Sequence, residues 1–169
     1  MTAIRPLLTG GDRRGIAQSD RVRQLVERDP ALVKKLVALT NDEDWLVSQR
    51  ALDLLEKLAQ AHVEWIAPHK RVFIGPLAGS DKWEIRLQIV RALPLFDWTP
   101  AQMRRVRAIL TENVSYSQTF VRAWALDGLA RLAKNAAGKR EVLRHVREFE
   151  RSSSKALQAR ARHIRSRLS

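Results

Sequence analysis

Four stretches of this chain align with one another at a nearly constant step, and a repeat constrains a fold more tightly than any single motif. They read DEDWLVSQRALDLLEKLA, GSDKWEIRLQIVRALPLF, YSQTFVRAWALDGLARLA and SSKALQARARHIRSRL. The branched apolar residue near the start of each is Val47, Ile85, Val121 and Leu157, at steps of 38, 36 and 36 residues. Four positions on stand Ala51, Ile89, Ala125 and Ala161, and seven beyond those Leu58, Phe96, Leu132 and Leu168. Offsets of 4 and 11 keep such residues on one helical face. A second apolar series leads each stretch: Leu36, Ile74, Leu110 and Val146, followed by Leu39, Leu77, Asn113 and Phe149, of which only Asn113 is polar.

Two amphipathic helices in a unit of roughly 37 residues are the sequence mark of an α-solenoid, in which each unit buries its apolar faces against its neighbours. The expected fold is therefore all-α, a right-handed solenoid of about four helix pairs. Residues 1–28 form an N-terminal arm and capping helix, and 29–169 the repeats, at about 29–62, 63–98, 99–135 and 136–169. The cap is DRVRQLVERD, with Val22, Leu25 and Val26 clustered on one side. The 7 glycines and 6 prolines are too few for a turn-rich β fold. Cysteine is absent, which removes disulfides, thiolate catalysis and Cys-based zinc sites. The opening residues hold no apolar run suited to a signal peptide and no stretch suits a membrane helix, so the expected location is cytoplasmic.

Punctuation supports the frame. Asp29-Pro30, Ala67-Pro68 and Thr99-Pro100 read as helix starts, where proline loses no amide hydrogen bond. Asp81, Ser117 and Ser153 are expected to cap the second helices of their units. Gly138 should separate the third unit from the last pair. Pro76 should bend the first helix of the second unit, and Pro94 should bend or end the second.

A branched apolar residue, then Arg, two residues and a small or apolar one (Ile85-Arg86 to Ile89; Val121-Arg122 to Ala125) resembles the second helix of a HEAT repeat, an armadillo-like α-solenoid unit. The resemblance spans about residues 29–168, with Ser48 and Gln158 standing where the arginine falls in the first and last units. Together with the start LLTGGDRRGI, the chain is similar to a group of short bacterial HEAT-like proteins, which brings no function with it. What the family does imply is a concave face lined by the second helices, where partners bind.

Register places Arg50, Gln88, Trp124 and Arg160 in one column of that face, Asp53, Arg91, Asp127 and His163 in another, and Trp45, Trp83, Thr119 and Lys155 in a third. The concave binding candidates are Trp45, Arg50, Trp83, Arg86, Arg91, Arg122 and Trp124, since tryptophan beside arginine can stack on a base or anchor an interface. The competing reading makes the tryptophans packing residues, and the recurrence of Trp45 at Trp83 favours it. Asp53, Arg91 and Asp127 could alternate as an ion-pair ladder along the solenoid.

Charge is a further guide. Lys and Arg number 31 against 18 Asp and Glu, a net +13, and residues 121–169 alone carry +9. Lys155, Arg160, Arg162, Arg165 and Arg167 on the last helix are candidates for polyanion binding, against the reading of a solvated outer face. The test is where the cations point: a free stripe of Arg50, Arg86, Arg91, Arg122 and Arg160 favours nucleic acid, whereas pairing favours a scaffold.

Catalytic signals are few. His62, His69, His145 and His163 show no metal spacing, and Asp42, Glu43 and Asp44 suit a turn before a helix. Gly10-Gly11 with Asp12-Arg13-Arg14 resembles part of an anion-binding loop but reads better as a turn. Trp124 and Asp127 resemble in placement the aromatics and acid of HEAT-like DNA glycosylases for alkylated bases, without the aspartate–tryptophan motifs of those enzymes. The expected function is a non-enzymatic scaffold for a macromolecular partner, protein first. Nucleic acid bound through the basic C-terminal helices is the alternative, and a glycosylase a distant third. No cofactor, metal or membrane partner is expected.

Overall fold

The computed structural model describes residues 3–168, and every regular element in them is helical. The α-helices are α1 (Arg5–Leu8), α2 (Ser19–Arg28), α3 (Val33–Leu39), α4 (Trp45–Ala61), α5 (Val63–Ile66), α6 (Trp83–Ala92), α7 (Pro100–Val114), α8 (Thr119–Leu132), α9 (Ala136–Glu150) and α10 (Lys155–Leu168). The chain separates into two compact units, meeting in sequence between Gly75 and Pro76.

In the first unit α4 is the central helix, and α1, α2, α3 and α5 all pack on it. Val47, Ala51, Leu55 and Leu58 carry its apolar face and are wholly buried. Val22 and Val26 of α2 are equally buried, and α2 packs on α4. Asp29 accepts from the Ala31 amide (3.2 Å) at the start of a 3₁₀ helix, Pro30–Leu32, that runs into α3.

In the second unit the helices stack in solenoid order. Helix α7 packs on α8 and α9 on α10, while α6, α8 and α10 pack successively. Thr99 and Gln102 close a full capping box on α7, with Pro100 at its first position. The tightest approach is at Gly128: a Cβ there would stand 3.0 Å from Leu110 Cδ2 and 3.5 Å from the Val90 carbonyl oxygen.

Four details differ from the sequence expectation. Residues 63–79 are not one bent helix but α5 followed by 3₁₀ turns at Ala67–Ile74 and Pro76–Gly79. Pro76 denies its predecessor the α region, and Gly75 is extended (φ −81°, ψ −160°). The break between the two compact units therefore falls within the span assigned to the second repeat. Gly138 is the third residue of α9, its amide held by the Asn135 side chain at 2.8 Å. Pro94 does end a helix: α6 stops at Ala92 and a 3₁₀ turn, Leu93–Leu95, follows.

The fourth difference is in the turns before the second helices. Those helices begin at Trp45, Trp83, Thr119 and Lys155, one register column. Asp42, Ser80 and Ser152, not Asp81, Ser117 or Ser153, organise the turns, each accepting from the amide two residues on at 3.0–3.1 Å. One residue decides which side chain can reach back, and the hydrophobic period does not fix a turn that finely.

Asp42 is also held from outside its turn, by Arg5 Nε (2.7 Å) and Nη2 (2.9 Å). That bidentate bond, with the Asp44 amide, holds the carboxyl below its ordinary range. A carboxyl depressed by folding contributes stability above its unfolded value, near 4, which is lost as pH falls through the lower folded value. Arg5→Gln is therefore expected to destabilise at neutral pH and to match the parent in strong acid. A stability gap that stays constant in denaturant melts down to about pH 2, well below an unperturbed aspartate, would contradict this role for the pair.

Candidate binding surface

Three of the seven arginine and tryptophan candidates are internal fasteners. Arg50 is 2% exposed. Its Nε donates to the Gly15 carbonyl (3.0 Å), Nη1 to those of Leu8 and Gly10 (2.7 Å each) and Nη2 to that of Asp12 (3.0 Å). The LLTGGDRRGI segment thus wraps its carbonyls around a cation, and Asp12 Oδ1 takes the amides of Arg14 and Gly15. An anion-binding loop would instead aim its N–H groups into the site.

Arg86 and Arg122 do a second job that recurs through the repeat. Arg86 Nε donates to the Ser80 carbonyl (2.6 Å) and Arg122 Nε to that of Val114 (2.9 Å). Ser48 and Gln158 hold the same register position and do the same, Ser48 Oγ to Thr40 O (2.6 Å) and Gln158 Nε2 to Ser152 O (2.7 Å). All four side chains tie a second helix to a main-chain carbonyl at or just beyond the end of the preceding helical segment. Arg86 also donates through Nη1 to Glu112 (2.8 Å) and to Asn113 Oδ1 (3.2 Å), which explains the polar Asn113 at a buried position. These residues belong to the frame rather than to an open face.

Of the other four, only Arg91 and Trp124 are brought together, on α6 and α8. Trp124 is half-buried, with the Arg91 guanidinium of α6 5.2 Å from its ring centroid and that of Arg160 of α10 at 4.7 Å, so the indole lies between two cations. Asp127, one turn on, is buried, and its Oδ1 accepts from Arg160 Nη1 (3.3 Å) and Arg167 Nη1 (2.9 Å). The ion pairs of Asp127 run forward to α10, while Asp53 is held by Lys57 of its own helix at 2.7 Å. Trp45 is half-buried with the Arg13 guanidinium 6.0 Å from its ring, and Trp83 is half-buried at the start of α6.

The structure adds one residue that the sequence did not single out. Phe120 is 64% exposed. It precedes Trp124 by four residues, so both aromatics share one face of α8. Leu46, Glu84 and Ala156 hold its register position, and since Glu84 is buried there while Ala156 is exposed, the repeat register does not mark Phe120 as a surface residue. Beside it on α10, Ala156, Ala159, Arg160 and His163 line an open recess of about 360 Å³.

The five α10 candidates divide. Arg160 and Arg167 are committed to Asp127, and Arg165 binds Glu150 through Nε (2.7 Å) and Nη2 (2.8 Å). Lys155 and Arg162 are exposed, without an ion pair among the described residues. Among those residues no group of His, Asp and Glu is placed to hold a metal, and no helix is long and apolar enough to cross a membrane.

The helices repeat an all-α architecture of the armadillo/HEAT-like solenoid class. Similar solved structures include two designed armadillo repeat proteins. YIII(Dq.V1)4CPAF, in complex with the peptide (KR)4, superposes with a TM-score of 0.64 at 15% identity over 89% of this chain and 69% of its own. YIII(Dq)4CqI superposes with a TM-score of 0.64 at 16% identity over 98% and 81%. No protein-family model matches the chain, and no curated protein does.

Proposed function

We propose that this chain is a non-enzymatic binding module that takes an acidic polypeptide segment on the second-helix face of α8 and α10. The observation that carries the reading is the pairing of an exposed aromatic, Phe120, with a tryptophan flanked by two guanidiniums one turn away. Aromatic and arginine side chains are the residue types that dominate interface energetics. A ring already fixed between cations gives up little conformational freedom on binding, which lowers the cost of association.

Charge selects the sign of the partner. The designed protein of similar architecture was solved with a basic peptide, (KR)4. This chain carries a net +13, of which residues 121–169 hold +9, so the complementary segment is acidic. The glycosylase alternative has less support, because the acid it needs, Asp127, is taken up in joining α10 to α8.

The test is a peptide array titrated by fluorescence anisotropy, spanning acidic, neutral and basic sequences with and without an aromatic residue. Acidic aromatic peptides should bind, (KR)4 should not, and Phe120→Ala should weaken binding about tenfold or more, the loss typical of a hot-spot side chain. Phe120 is exposed, so the variant keeps its fold. Binding indifferent to Phe120→Ala, or a preference for basic peptides, would remove the proposal.

A further inference from the structure

We infer that α9 carries a second surface, separate from the α8–α10 face, where Arg140, Arg144, Arg147 and Arg151 track the phosphate backbone of double-stranded nucleic acid. These arginines stand at steps of 4, 3 and 4 residues, which puts them on one face of the helix and its C-terminal boundary. At 1.5 Å per residue the stripe is about 16 Å long. All four are exposed, while the opposite face of α9 buries Val142, His145, Val146 and Phe149.

The carboxylates of α9 are committed elsewhere. Glu141 binds Arg107 of α7, Glu148 faces His145 Nδ1 at 3.2 Å, and Glu150 is chelated by Arg165. Arg147 and Arg151 lie in the field of Glu150, but both oxygens of that carboxylate already accept from Arg165. The stripe is therefore a row of four positive charges in which Glu141 and Glu150 are held by arginines of other helices and only Glu148, facing His145, stands beside it. On the last helix Arg160 and Arg167 share Asp127 and Arg165 is held by Glu150, which leaves Lys155 and Arg162 as its exposed cations.

The chemistry of the row selects among anionic partners. It holds no aromatic or large apolar side chain, so it offers a peptide no anchor. The apolar face of α9 is buried in the protein, so nothing is left to enter a bilayer. Four guanidiniums at regular helical intervals of about 5–6 Å suit a polymer whose charges repeat, and arginine makes the bidentate phosphate contact that lysine cannot. Contacts of this kind carry no sequence preference.

The experiment measures binding of the full chain to a random 20-base-pair DNA duplex by anisotropy between 50 and 200 mM salt, with Arg140→Gln/Arg144→Gln/Arg147→Gln compared against the α10 control Lys155→Gln/Arg162→Gln. Four phosphate contacts at a slope of about 0.9 each predict that the parent loses roughly 100-fold affinity across that range, and the triple variant only about 3- to 4-fold. The α10 control should keep most of the parental slope. Acidic-peptide binding at Phe120 should be unchanged in the triple variant, which separates this surface from the first. Should the triple variant fail to fold, the single charge reversal Arg144→Glu should still lower the parental salt slope by about 0.9 or more. No duplex binding at 50 mM salt, a parental slope in the triple variant, or a stripe that instead retains polyglutamate or anionic vesicles would each overturn the inference.

Discussion

Replacing Arg50 by methionine is expected to lower the stability of the first unit by about 3–5 kcal/mol, the range for removing one partner from a buried charged network. Methionine matches the aliphatic stem in volume, so lost packing contributes little. What is lost is the organiser of four carbonyls, those of Leu8, Gly10, Asp12 and Gly15. Those carbonyls point at the guanidinium because Gly10 (φ +84°) and Gly11 (φ +72°) hold left-handed backbone that other residues adopt at a cost. Without the cation their oxygens repel one another and must turn to water. Arg50→Lys should recover little, because a point ammonium cannot fork to carbonyls on both sides of a planar group. Denaturant unfolding should show the reduced midpoint, and hydrogen exchange should show residues 9–18 opening first. A parental midpoint with unchanged protection in that segment would mean that the loop does not need its cation.

How far this site could be read in the sequence depends on the range of the interactions. The second-helix starts at Trp45, Trp83, Thr119 and Lys155 follow from apolar periodicity, because burying one helical face forces that period on the chain. Arg50 reads as an exposed polar residue, since its partners are main-chain oxygens 35–42 residues earlier and carbonyls leave no trace in residue identity. Ser48 and Gln158 look like departures from an arginine pattern, yet the position requires a donor that reaches one carbonyl, and three side-chain types supply it.

The surface is where one-dimensional reading is weakest. The arginines of α10 form an obvious cluster in the sequence, but Asp127 and Glu150 bind three of them from 33, 40 and 15 residues away. The arginines of α9 stand among three glutamates and look balanced, although those glutamates pair with Arg107, His145 and Arg165. Net charge thus located the basic end of the chain, and only the pairing showed which of its arginines are engaged.

The core offers the other large effect. Leu55→Ala and Leu129→Ala are each expected to cost about 2–5 kcal/mol, the lost transfer energy plus a term for whatever cavity remains. Leu55 is fully buried in α4, the helix on which the rest of the first unit packs. Leu129 is 4% exposed in α8, which packs against α6, α7, α9 and α10. How far each site can collapse decides where in the range it falls. Beside Leu129, the close approach at Gly128 leaves Leu110 no room to move toward the α8 backbone, so inward relaxation is restricted there. Helix α4, which carries Leu55, packs mainly on the short elements α3 and α5, which can shift more readily and fill part of the space. Leu129→Ala should therefore lie nearer the upper end than its exposure alone suggests. Urea midpoints at constant m-value report the comparison directly. Parental midpoints in both variants would mean that neither leucine is a core anchor, and a larger loss at Leu55 would show that the short helices hold their places more firmly than α8 does.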